Sequence, residues 1–215
     1  MEIPKKLQQK LDEGRQYRSV VEIRALGEAD SGEKIVEGYA CTFNEPYELY
    51  SFEGYTVREQ IDRGAFGKCD MSDVIFQYDH EGRVFARTSN NTLTLSTDDH
   101  GLKIRADLGG TEAGRQLYEE IKGGYTTKMS FGFVVDTDIR EVNENHTDGN
   151  VDVLRTITGI RKLYDVSAVS LPANNATEIS ARSFCDGVIA ELTEERRKAE
   201  ERERQKQKIK IMLNL

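Results

Sequence analysis

Proline is scarce in this chain, three in 215 residues, so its turns must rest on Gly, Asn and Asp, and glycine is correspondingly plentiful at 18. Cysteine falls short of a disulfide framework: Cys41, Cys69 and Cys185 are odd in number and widely spaced, with no CxxC or metal-ligand pattern. That usage fits free thiols in a reducing compartment, with Cys41 a core residue of an apolar strand pattern. Positive charge is not in excess either. The net charge is −8, which argues against nucleic-acid binding, where affinity rests on neutralising phosphates. No run approaches a membrane span, and the start MEIPKKLQQKLDEGRQYR lacks the apolar core of a signal peptide, so a cytosolic protein with no membrane partner is expected. A GxSxG elbow is also missing, which argues against an α/β-hydrolase.

What the chain does contain is a succession of short alternating runs. Residues 17–25 and 34–43 read as a β-hairpin about Asp30-Ser31-Gly32. Residues 44–51 read as a loop and 59–66 as a short helix or turn. Residues 74–80 form a strand that places Val74, Phe76, Tyr78 and His80 on one face. Short strands follow at 84–88, 92–97 and 101–108, a spacing that reads as a β-barrel or sandwich. Thr111 caps a helix through Ala113, Leu117, Tyr118 and Ile121, which Gly123-Gly124 ends. The acidic stretch 136–150 reads as a surface loop with a solvated His146, and strands at 151–158 and 160–171 complete the domain. After Gly187 the sequence is almost wholly Glu, Arg, Lys and Gln without a heptad seam, so a solvated helical tail or an assembly segment is expected. The organisation expected is a charged arm at 1–17, a domain at 18–182 and a charged helical tail at 183–215.

Three residues carry potential chemistry. Lys128 to Val135 alternates, with Met129, Phe131, Phe133 and Val135 on the core face and Lys128, Ser130 and Gly132 on the other. The glycine two residues after Ser130 leaves the surface beside the hydroxyl open, as clearance for a substrate backbone. His80 ends one strand. Asp165 is the only charge in Leu163-Tyr164-Asp165-Val166-Ser167-Ala168-Val169-Ser170-Leu171, and a carboxylate in a strand core needs a cation, a histidine or backbone donors beside it. A hydroxyl, a base and an acid are the parts of acyl-transfer chemistry, and only a fold can join residues so far apart.

The ordered set of motifs resembles the prohead proteases of tailed bacteriophages over roughly residues 18–182. The resemblance rests on Gly64-Ala65-Phe66, Asp79-His80, Asp99-His100-Gly101-Leu102, Gly114-Arg115, Ser130-Phe131-Gly132-Phe133, and Leu163 to Val169 with Pro172-Ala173-Asn174. It implies a mainly β, α+β fold, a closed or partly open β-barrel with flanking helices similar to herpesvirus assembly proteases. It implies a serine endopeptidase with Ser130 as nucleophile, His80 as general base and Asp165 as third member, needing no metal or cofactor. Asp165 stands where the family usually has Glu, and Ala86-Arg87 where it has Gly-Arg; Arg87 is a weak candidate for an oxyanion donor. His100 reads as a turn residue. The implied partners are the scaffolding protein or a scaffold-like arm of the capsid protein, portal-associated proteins and a second copy in a homodimer, inside the assembling procapsid in the bacterial host cytoplasm. The tail would then be removed by self-cleavage. The competing reading is a catalytically inactive β-barrel assembly module that binds scaffold through its helical tail.

Overall fold

The computed structural model describes residues 9–10, 12–26, 33–52, 54–145, 149–170 and 175–213. The turn expected at Asp30-Ser31-Gly32, the stop at Pro172-Ala173-Asn174 and His146 lie outside those residues.

Two long antiparallel strands, β9 (Lys128–Glu144) and β10 (Val151–Val169), form the spine. On one side of β9 lie β1 (Gln16–Ala25), β2 (Ile35–Thr42), β8 (Gly101–Asp107) and β7 (Leu93–Thr97), paired in that order. On the other side, β10 pairs in parallel with two strands. Its first part takes β4 (Tyr55–Ile61), which pairs β3 (Tyr47–Phe52), and its last part takes β5 (Ile75–Tyr78), which pairs β6 (Glu81–Arg87). The result is a mainly β, α+β molecule with α1 (Glu112–Lys122) and α2 (Asn175–Leu213).

Of the closed or partly open barrel that the resemblance implies, the closed form is not what the chain adopts: the sheet is not closed. Its path begins at β3 and ends at β7 with no pairing between them among the described residues, and it branches at β10. Closure needs a single continuous cycle of strands with matched tilt and stagger, and a strand that serves two successive neighbours on one edge breaks that cycle.

Four element assignments also change, the first at 59–66, where residues 59–61 end β4 and the turn follows only at 63–68. Residues 47–52 are a strand, not a loop, because β4 supplies a partner for them. The stretch 136–144 continues β9 although it is polar, since β10 pairs residues 138–144 one for one and Asp138 meets Arg155 across the ladder. Gly159 does not end a strand; it sits at a bulge within β10, where a side chain would run into Thr137 Oγ1 at 2.5 Å.

The helix before β9 forms where its cap dictates. Thr111 Oγ1 accepts from Gly114 N at 3.0 Å, Gly124 takes a left-handed φ of 75° past the end, and Leu117, Tyr118 and Ile121 face the core. Phe131, Phe133, Val166 and Phe76 lie in the same fully buried cluster, so this face fixes β9 and β10 in register. Truncating such a ring to Ala costs about 3–5 kcal/mol. Along β4 and β10 the buried face changes character in steps. Val57 pairs Val153, Glu59 pairs Arg155, and Ile61 pairs Ile157, so an ionic layer separates two apolar clusters. Phe184, Cys185 and Val188 of α2 cover the first of these, and the helix runs on without a break where the composition changes after Gly187.

Candidate active site

The face of β9 and β10 away from Phe131 and Val166 carries a row of small polar residues. Ser130 lies opposite Ser167, and Gly132 opposite Asp165. Simple alternation would not put Asp165 there, because Leu163, two residues earlier, points into the core. The ladder slips by one residue between Leu163 and Asp165, which places Tyr164 in a bulge and reverses the facing of everything after it. Val166 and Ala168 then take the core side, and Asp165 and Ser167 the polar side. A second bulge, in β1 between Arg18 and Val21, lies directly beside Ser130 on the opposite flank.

His80 reaches this face by leaving its strand. Val74 and Phe76 are core residues and Tyr78 packs against the same cluster, so continuation of β5 would aim His80 into the core. Instead Tyr78 pairs Glu81, and Asp79 and His80 form the two-residue turn between β5 and β6 with φ of 49° and 60°. Two consecutive left-handed non-glycine residues cost of order 1–3 kcal/mol each. Asp79 holds the turn in place: its N–H donates to Ala168 O at 2.9 Å, and its carboxylate accepts from Ser170 N at 2.9 Å and Ser170 Oγ at 3.0 Å.

The three sequence-predicted residues meet in one hydrogen-bonded row. His80 Nε2 is 2.6 Å from Ser130 Oγ, and His80 Nδ1 is 2.5 Å from Asp165 Oδ1. With the acid ionised, Nδ1 carries the proton and Nε2 is left to accept from the serine hydroxyl. Burial alone would raise the Asp165 pKa; the charge of His80, its hydrogen bond and that of Ser167, with Lys10 nearby, hold it below the ordinary carboxylate value. The shorter reach of Asp is thus sufficient here.

Neighbours that the sequence did not single out complete the site. Tyr17 of β1 sits opposite Gly132 and meets the His80 ring edge to face, with centroids 4.5 Å apart. Its phenol is raised well above the usual value by burial first and by the Asp165 charge second. Lys10 Nζ donates to His80 O at 3.1 Å. Ser167 Oγ donates to Asp165 Oδ1 at 2.9 Å. Ser167 had a legible signal, being two residues from Asp165 on one strand; Tyr17 had none.

Two expectations change. Gly132 is not clearance for a substrate: a Cβ there would collide with Asp165 Oδ2 and come within 2.9 Å of the Tyr17 ring, so the missing side chain makes room for the acid. Nor is the surface beside Ser130 open. Ser130, His80 and Asp165 are 0%, 2% and 1% exposed. Arg87 is engaged elsewhere, its guanidinium on Asp73 at 2.8 and 2.9 Å. His100 is an exposed turn residue whose N–H donates to Asp98 Oδ1. Among the described residues no group of His, Cys, Asp and Glu is placed to hold a metal ion, and no helix is long and apolar enough to cross a membrane.

No curated protein matches the chain. Among solved structures, the bacteriophage T4 capsid assembly protease aligns over 72% of this chain and 96% of its own, at 11% identity and a TM-score of 0.39. A family model described as caudovirus prohead serine protease matches residues 19–187, which contain every residue of the hydrogen-bonded row. The chain belongs to the caudovirus prohead serine protease family.

Proposed function

We propose that the chain is a serine endopeptidase acting during prohead maturation, with Ser130 as nucleophile, His80 as general base and Asp165 as the residue that orients the base. The observation that carries this reading is the continuous row from Ser130 Oγ through His80 to Asp165, at 2.6 and 2.5 Å. As Ser130 Oγ attacks the scissile carbonyl carbon, its proton passes to His80 Nε2. Asp165 stabilises the imidazolium without taking the proton. The tetrahedral intermediate collapses with cleavage of the C–N bond, and Nε2 returns the proton to the leaving amine. Water then releases the acyl group from Ser130 by the same route in reverse.

The substrates in this proposal are the scaffolding protein or a scaffold-like capsid-protein arm, portal-associated proteins and the enzyme's own charged segment 183–215. Because Ser130 is fully covered, a peptide reaches it only after the segments over it open. That same burial favours one other reading, an assembly module that never turns over.

Co-expression with the capsid and scaffold proteins of the same phage tests both. Truncated products identified by mass spectrometry, absent with Ser130→Ala, are expected. Intact proteins with both variants in assembled proheads would favour the module.

A further inference from the structure

We propose that Ser167 is a positioning residue of this active site, holding the Asp165 carboxylate in the one rotation that serves His80; the proposal rests on the reading of Ser130, His80 and Asp165 given above. Asp165 Oδ1 receives two donors, His80 Nδ1 at 2.5 Å and Ser167 Oγ at 2.9 Å. Its other oxygen, Oδ2, takes up the space that a side chain on Gly132 would need, a space that the Tyr17 ring also borders. One oxygen is therefore fixed by two bonds and the other by shape. Ser167 is fully buried, and the register that puts it opposite Ser130 also puts it beside Gln77 of β5. The hydroxyl has a place in the row because the Tyr164 bulge turns Asp165 and Ser167 together onto the polar face.

The consequence is specific. A carboxylate that can rotate offers the histidine either oxygen, or neither squarely, and the tautomer that leaves Nε2 free is then held less firmly. Loss of the Ser167 donor also leaves more negative charge on Oδ1, so the carboxylate stabilises the imidazolium more strongly. The groups that face Asp165 are His80 from the β5–β6 turn, Lys10 from the N-terminal segment, Tyr17 from β1 and Ser167 from its own strand. Of these, Ser167 is the neutral hydroxyl donor bonded to Oδ1, and its removal changes no formal charge.

The test measures the rate at which a fluorophosphonate labels Ser130 across pH in the full chain, for the parent, Ser167→Ala and Ser167→Thr. Ser167→Ala should lower the plateau rate on the order of ten-fold, the scale expected for one hydrogen bond to a charged group, and move the acid limb to higher pH. Ser167→Thr keeps the hydroxyl and should recover most of the rate with an unmoved limb. A parent-like rate and limb in Ser167→Ala overturns the proposal. So does an equal fall at every pH in both variants, which marks packing and not positioning. If the parent is labelled neither as the free chain nor in assembled proheads, the endopeptidase reading fails, and the His80 Nδ1–H proton resonance then decides on Ser167. A low-field resonance that shifts or broadens in Ser167→Ala supports the role; an unchanged one overturns it.

Discussion

Two groups of polar side chains are buried in this sheet, and they differ in what each leaves unspent. In the ionic layer, Glu59 accepts from Arg18 Nε at 2.5 Å, Arg18 Nη2 at 3.0 Å, Arg155 Nη1 at 2.8 Å and Tyr47 Oη at 2.5 Å. Arg155 also pairs with Asp138 and lies under the Phe184 ring at 3.9 Å, and Gln16 bridges the two guanidiniums at 3.0 Å each. Two cations face two anions and the donors have their acceptors, so the layer has no proton to exchange. The Ser130 row is built from neutral hydroxyls, one imidazole and one carboxylate, and its central bond is one a proton can cross. Saturation gives a structural element; a single transferable proton in an otherwise fixed row gives a reactive one.

The comparison breaks most sharply at Glu59. Glu59→Ala strands two buried guanidiniums, and loss of one partner from a buried pair costs about 3–5 kcal/mol; denaturant unfolding should show this or a failure to fold. Substitution of the neutral hydroxyls of the Ser130 row, Ser130 and Ser167, should cost less, because neither leaves a buried charge without its counterion.

Gly132→Ala comes next. The added methyl contests the space of Asp165 Oδ2 and the Tyr17 ring, with an overpacking cost of about 1–3 kcal/mol. Activity should fall far more than stability does. Peptide hydrolysis and a melting curve on the same sample separate the two effects, and parent-like hydrolysis would return Gly132 to a simple packing role.

Acid distinguishes the clusters more gently. Burial would raise both Glu59 and Asp165, yet both are held below their ordinary values, Glu59 by Arg18 and Arg155 and Asp165 by His80 and Ser167. Carboxylates that titrate lower in the folded chain contribute stability above the unfolded value, about 4, and that contribution is lost as pH falls through the folded values. Unfolding free energy should therefore decline from about pH 5 downward, and Glu59→Gln should flatten that decline from a lower starting stability.

The smallest effect belongs to the exposed pairs of α2. Arg197→Ala removes a bidentate contact to Glu194 at 2.8 and 2.9 Å, but in full solvent this should leave the melting midpoint unchanged.

Much of this was legible in the sequence, for reasons that show where legibility ends. The α1 helix was readable because its cap, apolar face and glycine stop are local. Ser130 and Asp165 were readable because a polar residue in an apolar strand needs a partner. The open, branched sheet was not readable, since nothing in β10 announces that it serves both β4 and β5. The strand at 136–144 was hidden because its pairing is supported by β10 and not by its own apolar pattern. The facing of Asp165 did leave a trace: Leu163 and Val166, both core residues, differ by three positions, which strict alternation forbids. Alternation along residues 74–80 puts His80 on the wrong face, because left-handed backbone at Asp79 and His80 has no signal beyond the tolerance of Asp and His for it.

The most direct test of the central claim is intact-mass analysis after exposure to a fluorophosphonate, in assembled proheads as well as in the free chain, with the adduct located by peptide mapping. The account predicts one adduct, on Ser130, lost in His80→Ala while the fold is retained. No adduct in either setting, or an adduct on another serine that persists in Ser130→Ala, would contradict it.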